Sequence, residues 1–459
     1  MRKFMKRAAS TALAAAMVFS LAACGQGGGD TTEGTTAGDD ASSTTEAAQE
    51  SDITGEITVL TQRTDLVDTD FADYAKKFQE KYPGTEVKFE AMENYEDDIA
   101  IRLNAGDYGD VCMVPTSVAA KDYSTYFEAL GTVEELSAQY DEKFLTSRSY
   151  NGTVYGLPSG ANASGIAYNK RIFEEAGVEG VPSSSEEFID ALKKVKENTE
   201  AIPYYTNYHD TWALSQWQSY VGAVSGDSDY VNNKMCNEQD PFSEGKPGYK
   251  VYNLLYQIVE NGLCEDDPVT SDWEASKTMI NNGEIASMVM GSWAVSQFKE
   301  AGDHPDDIGY MPFPVAAEDG KVYTGADADY SYGIPTSSDN KATARAWIDF
   351  MLNESGFAEK QGEISIVKGA ALPENLADFE GVEFIVTNVA TAENDGKWDA
   401  VHNESELNLW GGSSYQAEII DTALGQSQSG FKSFDDVMAE WNKKWNAALE
   451  SVNETWGQD

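Results

Sequence analysis

Histidine is almost missing from this chain: three in 459 residues, at His209, His304 and His402. They stand apart from one another, and none belongs to a zinc-ligand spacing. The phosphate-cradling pattern G-x-x-x-x-G-K-[ST] and the nucleophile elbow G-x-S-x-G are absent too, which removes the commonest hydrolase and nucleotide-binding readings. Basic residues are scarce. Lys and Arg number 32 against 78 Asp and Glu, for a formal net charge of −46. A field of that sign repels nucleic acid and anionic lipid headgroups, and it keeps an exposed protein soluble. Counting alone leaves a glycosidase carboxylate pair open, since carboxylates are everywhere.

Cysteine is rare as well: Cys24, Cys112, Cys236 and Cys264. Cys112 sits in the apolar run Val111-Cys112-Met113-Val114 and reads as a small buried hydrophobe. Spacing leaves Cys236 and Cys264 free to form a disulfide or not. Beyond the N-terminus no second apolar run is long enough to span a bilayer.

What the N-terminus does have is order of a different kind. Arg2, Lys3, Lys6 and Arg7 precede an Ala/Leu/Val/Phe run over residues 8–21, which ends in Leu21-Ala22-Ala23-Cys24. A basic start, a short apolar run and small residues leading into Cys form a bacterial lipoprotein leader. Residues 1–23 are expected to be removed, and Cys24 to carry lipid on the outer face of the cytoplasmic membrane. Residues 25–52 hold almost no aliphatic side chain larger than Ala, so composition predicts a flexible tether. As a coil of 28 residues it would reach about 30 Å. The remaining body, residues 53–459, exceeds the size at which one core stops growing, so two lobes are expected.

The body opens with a β-α-β-α-β pattern. Residues 54–61 alternate and are β-branched. Phe71, Tyr74, Phe78 and Tyr82 mark one helix face before Pro83-Gly84, and residues 85–91 form a second strand. Ile99 and Leu103 mark a helix over residues 95–105, and residues 110–114 form a buried third strand. That order is half of a doubly wound α/β sheet. Ligands on such sheets sit beyond the carboxyl ends of the strands. Gln62, Arg63, Asn94, Tyr95 and Thr116 should therefore surround one crevice. Residues 285–290 read as a buried strand that ends at Gly291-Ser292-Trp293. A last helix is announced by Ser433 and Asp436 as a capping box, with Trp441 and Trp445 on its apolar stripe.

Four segments, in order, resemble one family, the extracellular solute-binding proteins of carbohydrate ABC importers. Residues 151–158 (NGTVYGLP) look like its "dGkvYGlP" crossover. Tyr168-Asn169-Lys170 with residues 173–178 (FEEAGV) is similar to "YNkdlFeeaGl". Residues 282–293 look like "nGkaAM…GsW", and Met311-Pro312-Phe313-Pro314 resembles "aplP". The resemblance covers nearly all of residues 53–459. It implies a periplasmic-binding-protein-like type II fold: two α/β lobes joined by a multi-segment hinge. The first lobe would comprise residues 53–161 and 323–369, and the second residues 162–322 and 370–459. It also implies a monomer that captures a sugar or oligosaccharide between its lobes and docks on the transmembrane permease subunits of an importer. No cofactor, catalysis or nucleic acid is implied. A peptide or polyol receptor, and a secreted glycan-processing hydrolase, remain as alternatives.

A sugar ring has an apolar C–H face and a hydroxyl edge, so a site for it needs flat rings beside Asp, Asn, Gln or Arg. Trp293 is the first candidate ring, with Trp410 beside Gly411-Gly412 as a second. Tyr205 and Trp212 belong to an aromatic-rich stretch that suits either a ligand platform or a satellite core. Alignment on Tyr168-Asn169-Lys170 puts Asn162 where maltodextrin-binding relatives have a ligand-contacting carboxylate. Asp327 and Asp329 fall where the chain should return to the first lobe. Their segment begins like a calcium loop, but Tyr332 replaces the required Gly and Ser338 the required Glu.

Overall fold

The computed structural model describes residues 53–92, 95–407, 409 and 414–457. Cys24, Asn94 and Trp410 lie outside the described residues.

The chain begins with β1 (Gly55–Thr61), α1 (Asp70–Lys81), β2 (Thr85–Ala91), α2 (Tyr95–Ala105) and β3 (Cys112–Met113). Short elements lead to β4 (Leu157–Pro158), which is followed at once by β5 (Ala161–Asn169) in a second sheet. That sheet gains β6 (Ser287–Gly291), β7 (Ile308–Pro312) and β8 (Tyr323–Ala328). The chain returns to the first sheet at β9 (Ser331–Gly333), and β10 (Glu383–Ile385) pairs with β8.

In the first lobe β1 and β2 run parallel in the register Gly55 to Thr85 through Thr61 to Ala91. Val59 bridges Val111 in parallel, and β9 joins β3 to β4 by antiparallel pairing. The expected third strand is regular only over Cys112–Met113; Val111 keeps a single bridge to Val59 after a bend at Asp110. Its carboxylate accepts from Thr58 N (2.9 Å) and Ser338 Oγ (2.6 Å). Asp110 thus ties β1 to the segment after β9 and is a structural residue.

In the second lobe β5 is central. It pairs antiparallel with β6, β7 and β8. Ala326, Asp327 and Ala328 lie opposite Ala163, Asn162 and Ala161, so the chain changes sheets at Asp329–Tyr330, where residue 323 was expected.

Two apolar cores follow from this layout. The first gathers Val59, Phe78, Trp347 and Tyr140, and it continues under the second sheet through Met288 and Tyr310. The second holds Trp217, Tyr252, Trp441 and Trp445. Cys236 and Cys264 are unbridged. No described helix is long and apolar enough to cross a membrane.

Candidate ligand-binding cleft

A cavity of about 570 Å³ opens between the two lobes. Gln62 and Arg63 reach it from the carboxyl end of β1, as the strand-end rule requires. Asn162 enters from β5, Trp293 from the turn after β6, and Asp329 and Tyr330 from the β8–β9 crossover. Lys360, Gln361 and Glu363 arrive from the third pass of the chain.

The polar floor holds two hydrogen-bonded groups. Arg63 grips Asp65 with two parallel bonds, Nε to Oδ1 at 2.9 Å and Nη2 to Oδ2 at 2.7 Å, and Nη2 also donates to Gln361 Oε1 at 2.9 Å. The arginine is thereby held flat against the lobe that carries it. Ser292 Oγ accepts from Ala163 N at 2.9 Å and lies 3.3 Å from Asn162 Oδ1. Asn162 Nδ2 donates to Asp329 Oδ2 at 3.1 Å. The Gly-Ser-Trp turn therefore fixes Asn162, and Asn162 fixes Asp329. A carboxylate at residue 162 would face Asp329 with like charge, and the amide gives Asp329 a donor instead.

Glu363 lies under this network and is 6% exposed. Its Oε2 is buried with no partner in the described structure. Burial, then the charge of Asp329 and a hydrogen bond with it, hold the Glu363 carboxyl well above the usual range, and Arg63 opposes the effect. Burial thus favours the neutral form of this acid beside Asp329. Gly160 makes room for it, since a Cβ there would sit 2.3 Å from Glu363 Oε2.

The aromatic wall is a triad. The Trp293 ring lies 6.0 Å from Trp212 and 5.9 Å from Trp273, and Trp212 and Trp273 meet edge-on at 5.2 Å. Trp273 is anchored at the start of its helix, where Asp272 accepts from Ala275 N, and it also packs on Phe298. Trp212 is 42% exposed and Trp293 is half-buried. An open tryptophan face beside fixed carboxylate, amide and guanidinium groups can hold a ring with one apolar face and a polar edge.

The structure thus brings Gln62, Arg63, Asn162 and Trp293 together, with Trp212 joined through ring contact. It places four other expected residues elsewhere. Tyr95 is buried, and its hydroxyl donates to Met113 O (2.9 Å) and accepts from Met113 N (2.7 Å), so it locks α2 to β3. Thr116 is held by Glu96 Oε2 through its N and Oγ1, both at 2.9 Å, outside the cleft. Tyr205 accepts from Asp272 N at 2.7 Å and lines a separate cavity of about 610 Å³. Asp327 lines another cavity, of about 460 Å³. Glu363, Lys360 and Gln361 had no signal in the sequence, because neither ring nor motif marks their segment.

The fold and cleft define a two-lobed ligand-binding protein. A profile described as bacterial extracellular solute-binding protein matches residues 65–356. A manno-oligosaccharide specific solute-binding protein of Bifidobacterium animalis subsp. lactis, solved with mannotriose, is 35% identical, with a TM-score of 0.74 over 88% of this chain and 97% of that one. A second binding protein of an ABC transporter from that organism, solved with mannobiose, is 36% identical, with a TM-score of 0.74 over 88% of this chain and 96% of its own. The diacetylchitobiose binding protein DasA of Streptomyces coelicolor is 24% identical over 96% of this chain and 99% of its own length. The chain belongs to the bacterial extracellular solute-binding proteins. Its role is binding for an ABC importer, and it is not an enzyme.

Proposed function

We propose that the protein captures a neutral oligosaccharide between its lobes and delivers it to the paired transmembrane subunits of an importer, while lipid on Cys24 keeps it at the membrane. The observation that carries this reading is the cleft itself: Gln62 and Arg63 line it from the first lobe, Asn162 and Trp293 from the second, and Asp329 from the crossover between them. A ligand that touches both lobes favours the arrangement in which they approach, in proportion to its differential affinity. The related binding proteins solved with mannobiose and mannotriose support a saccharide ligand.

Isothermal titration of the purified protein with mannobiose, mannotriose, maltotriose and diacetylchitobiose tests the reading, with chromatography of the recovered sugar. The expected result is saturable binding of at least one saccharide, recovered intact, and weakened in Trp293→Ala by roughly 2 kcal/mol or more, about thirtyfold. Wild-type silence across the panel would remove the saccharide assignment, and recovery of cleaved sugar would contradict a binding role.

A further inference from the structure

The cavity beside Asp327 has no part in the cleft described so far. It holds about 460 Å³. Gln218 and Gly222 line it from the helical segment around Ser219–Ser225, Asn232 from the turn Tyr230–Lys234, and Trp398 and His402 from the helix Lys397–Glu404.

Its walls are built in a way that an incidental void is not. Asp327 is enclosed by protein on most sides, yet its side chain stays open to solvent through the cavity. No hydrogen bond or ion pair to its carboxylate is found among the described residues. Gln218 is 1% exposed. Its Oε1 accepts from Tyr252 OH at 2.6 Å, while its Nε2 is buried without a partner among the described residues. A buried donor left unmade is costly, so a group that needs it is expected nearby. Gly222 stands inside a helix with ordinary helical backbone, where Ala would be the better helix former. A Cβ there would lie 3.3 Å from Val231 Cγ2 and 3.5 Å from Thr387 Oγ1, so any larger side chain would enter the cavity. The Tyr230–Lys234 turn is π-helical, a form that is rare and concentrated at functional sites. It is held in place by Asn232 Nδ2 donating to Asn388 O at 2.8 Å.

Chemistry narrows the occupant. Trp398 and His402 stack at 4.6 Å and 17°. His402 Nε2 accepts from Leu409 N at 3.0 Å, and burial lowers the imidazole pKa, so the ring is neutral. The charged residues that line the cavity are Asp327 and Asp399, and no Lys or Arg is among the described lining residues. An anionic unit would meet two carboxylates. An apolar one would strand Asp327. A neutral unit rich in hydroxyls gives its carboxylate a donor. The position adds a further constraint. Asp327 lies directly opposite Asn162 in the β8–β5 ladder, so their side chains share one face of the sheet. Asn162 lines the interlobe cleft and Asp327 lines this cavity.

We propose that this cavity is a further subsite of the same receptor, which takes a neutral, hydroxyl-bearing unit of a longer oligosaccharide whose other units lie against Trp293. The inference rests on the saccharide reading above. Its consequence is a preference set by chain length: each ligand long enough to pass the Asn162–Asp327 pair gains a second anchor.

Titration of mannobiose, mannotriose and longer manno-oligosaccharides into the wild type, Asp327→Ala and Gly222→Leu tests it. The wild type is expected to bind the longer sugars more tightly than the shortest it accepts. Asp327→Ala should weaken the longer ones by about tenfold or more and leave the shortest unchanged, so that the gain with length disappears. Gly222→Leu, which fills the space, should do the same. If circular dichroism shows that it fails to fold, Asp327→Ala decides alone. Losses equal at every length, or no loss, would overturn the subsite while leaving the receptor intact. Absence of wild-type binding to every saccharide would instead overturn the saccharide reading, and the subsite with it.

Discussion

At the scale of single residues, the cleft floor turns on one proton. Glu363 is buried beside Asp329, and burial raises its carboxyl pKa well above the glutamate reference of 4.5. In the unfolded chain the same group ionises near that reference. As pH rises through it, the folded state binds more protons than the unfolded state, so this group makes stability fall with pH. That is the reverse of Asp65, whose pKa is lowered by its bonds to Arg63 and whose contribution is lost as pH falls. Glu363→Gln keeps shape and a donor toward Asp329 but cannot ionise. Denaturant unfolding across pH 4 to 8 should show this variant gaining on wild type as pH rises, and a constant difference would contradict a raised Glu363. The sequence could not announce this pair. Asp329 was visible as a candidate, but Glu363 is one carboxylate among 78 acidic residues, and only Gly160 making space beneath it sets it apart.

At the scale of elements, local rules were mostly legible. The strand Thr85–Ala91 and the helix Tyr95–Ala105 fall on the expected residues, because alternation and the 3.6-residue period act over short distances. The last helix, Phe434–Thr455, begins as its sequence announces. Ser433 Oγ accepts from Asp436 N at 3.3 Å, and Asp436 Oδ2 accepts from Ser433 N at 3.0 Å. Trp441 and Trp445 are buried in the second core, and Trp445 Nε1 donates to Glu238 O at 3.1 Å. Ser433→Ala removes one half of the box and should cost about 1 kcal/mol, read as a lower denaturant midpoint at unchanged slope. Side chains depart from the expected crevice where a distant partner holds them. Tyr95 was expected at the crevice because α2 starts there, but Met113 claims its hydroxyl from both sides. Tyr205 and Thr116 were likewise drawn away by Asp272 and Glu96.

At the scale of the whole molecule, the lobes and the anchor answer to different physics. The lobes exist because a body of this size cannot bury its apolar surface around one centre. The anchor is a covalent expectation carried by Leu21-Ala22-Ala23-Cys24. With lipid on Cys24 the protein should fractionate with membranes, and Cys24→Ala should release it or leave it unprocessed. An unchanged distribution on immunoblots of membrane and medium fractions would contradict lipid anchoring. The sequence by itself determined the fold class, the opening order of strands and helices and the family, since each rests on periodicity or on contiguous motifs. Only the tertiary structure decided the site. It moved the chain from one sheet to the other at Asp329–Tyr330, left Cys236 and Cys264 unbridged, and brought Gln361 against Arg63 with Glu363 in the same cleft. It also put Asp327 opposite Asn162, with a cavity of its own. Those outcomes depend on which distant segments meet, and a pairing between residues about 170 positions apart is fixed by the packing of whole sheets rather than by any local signal.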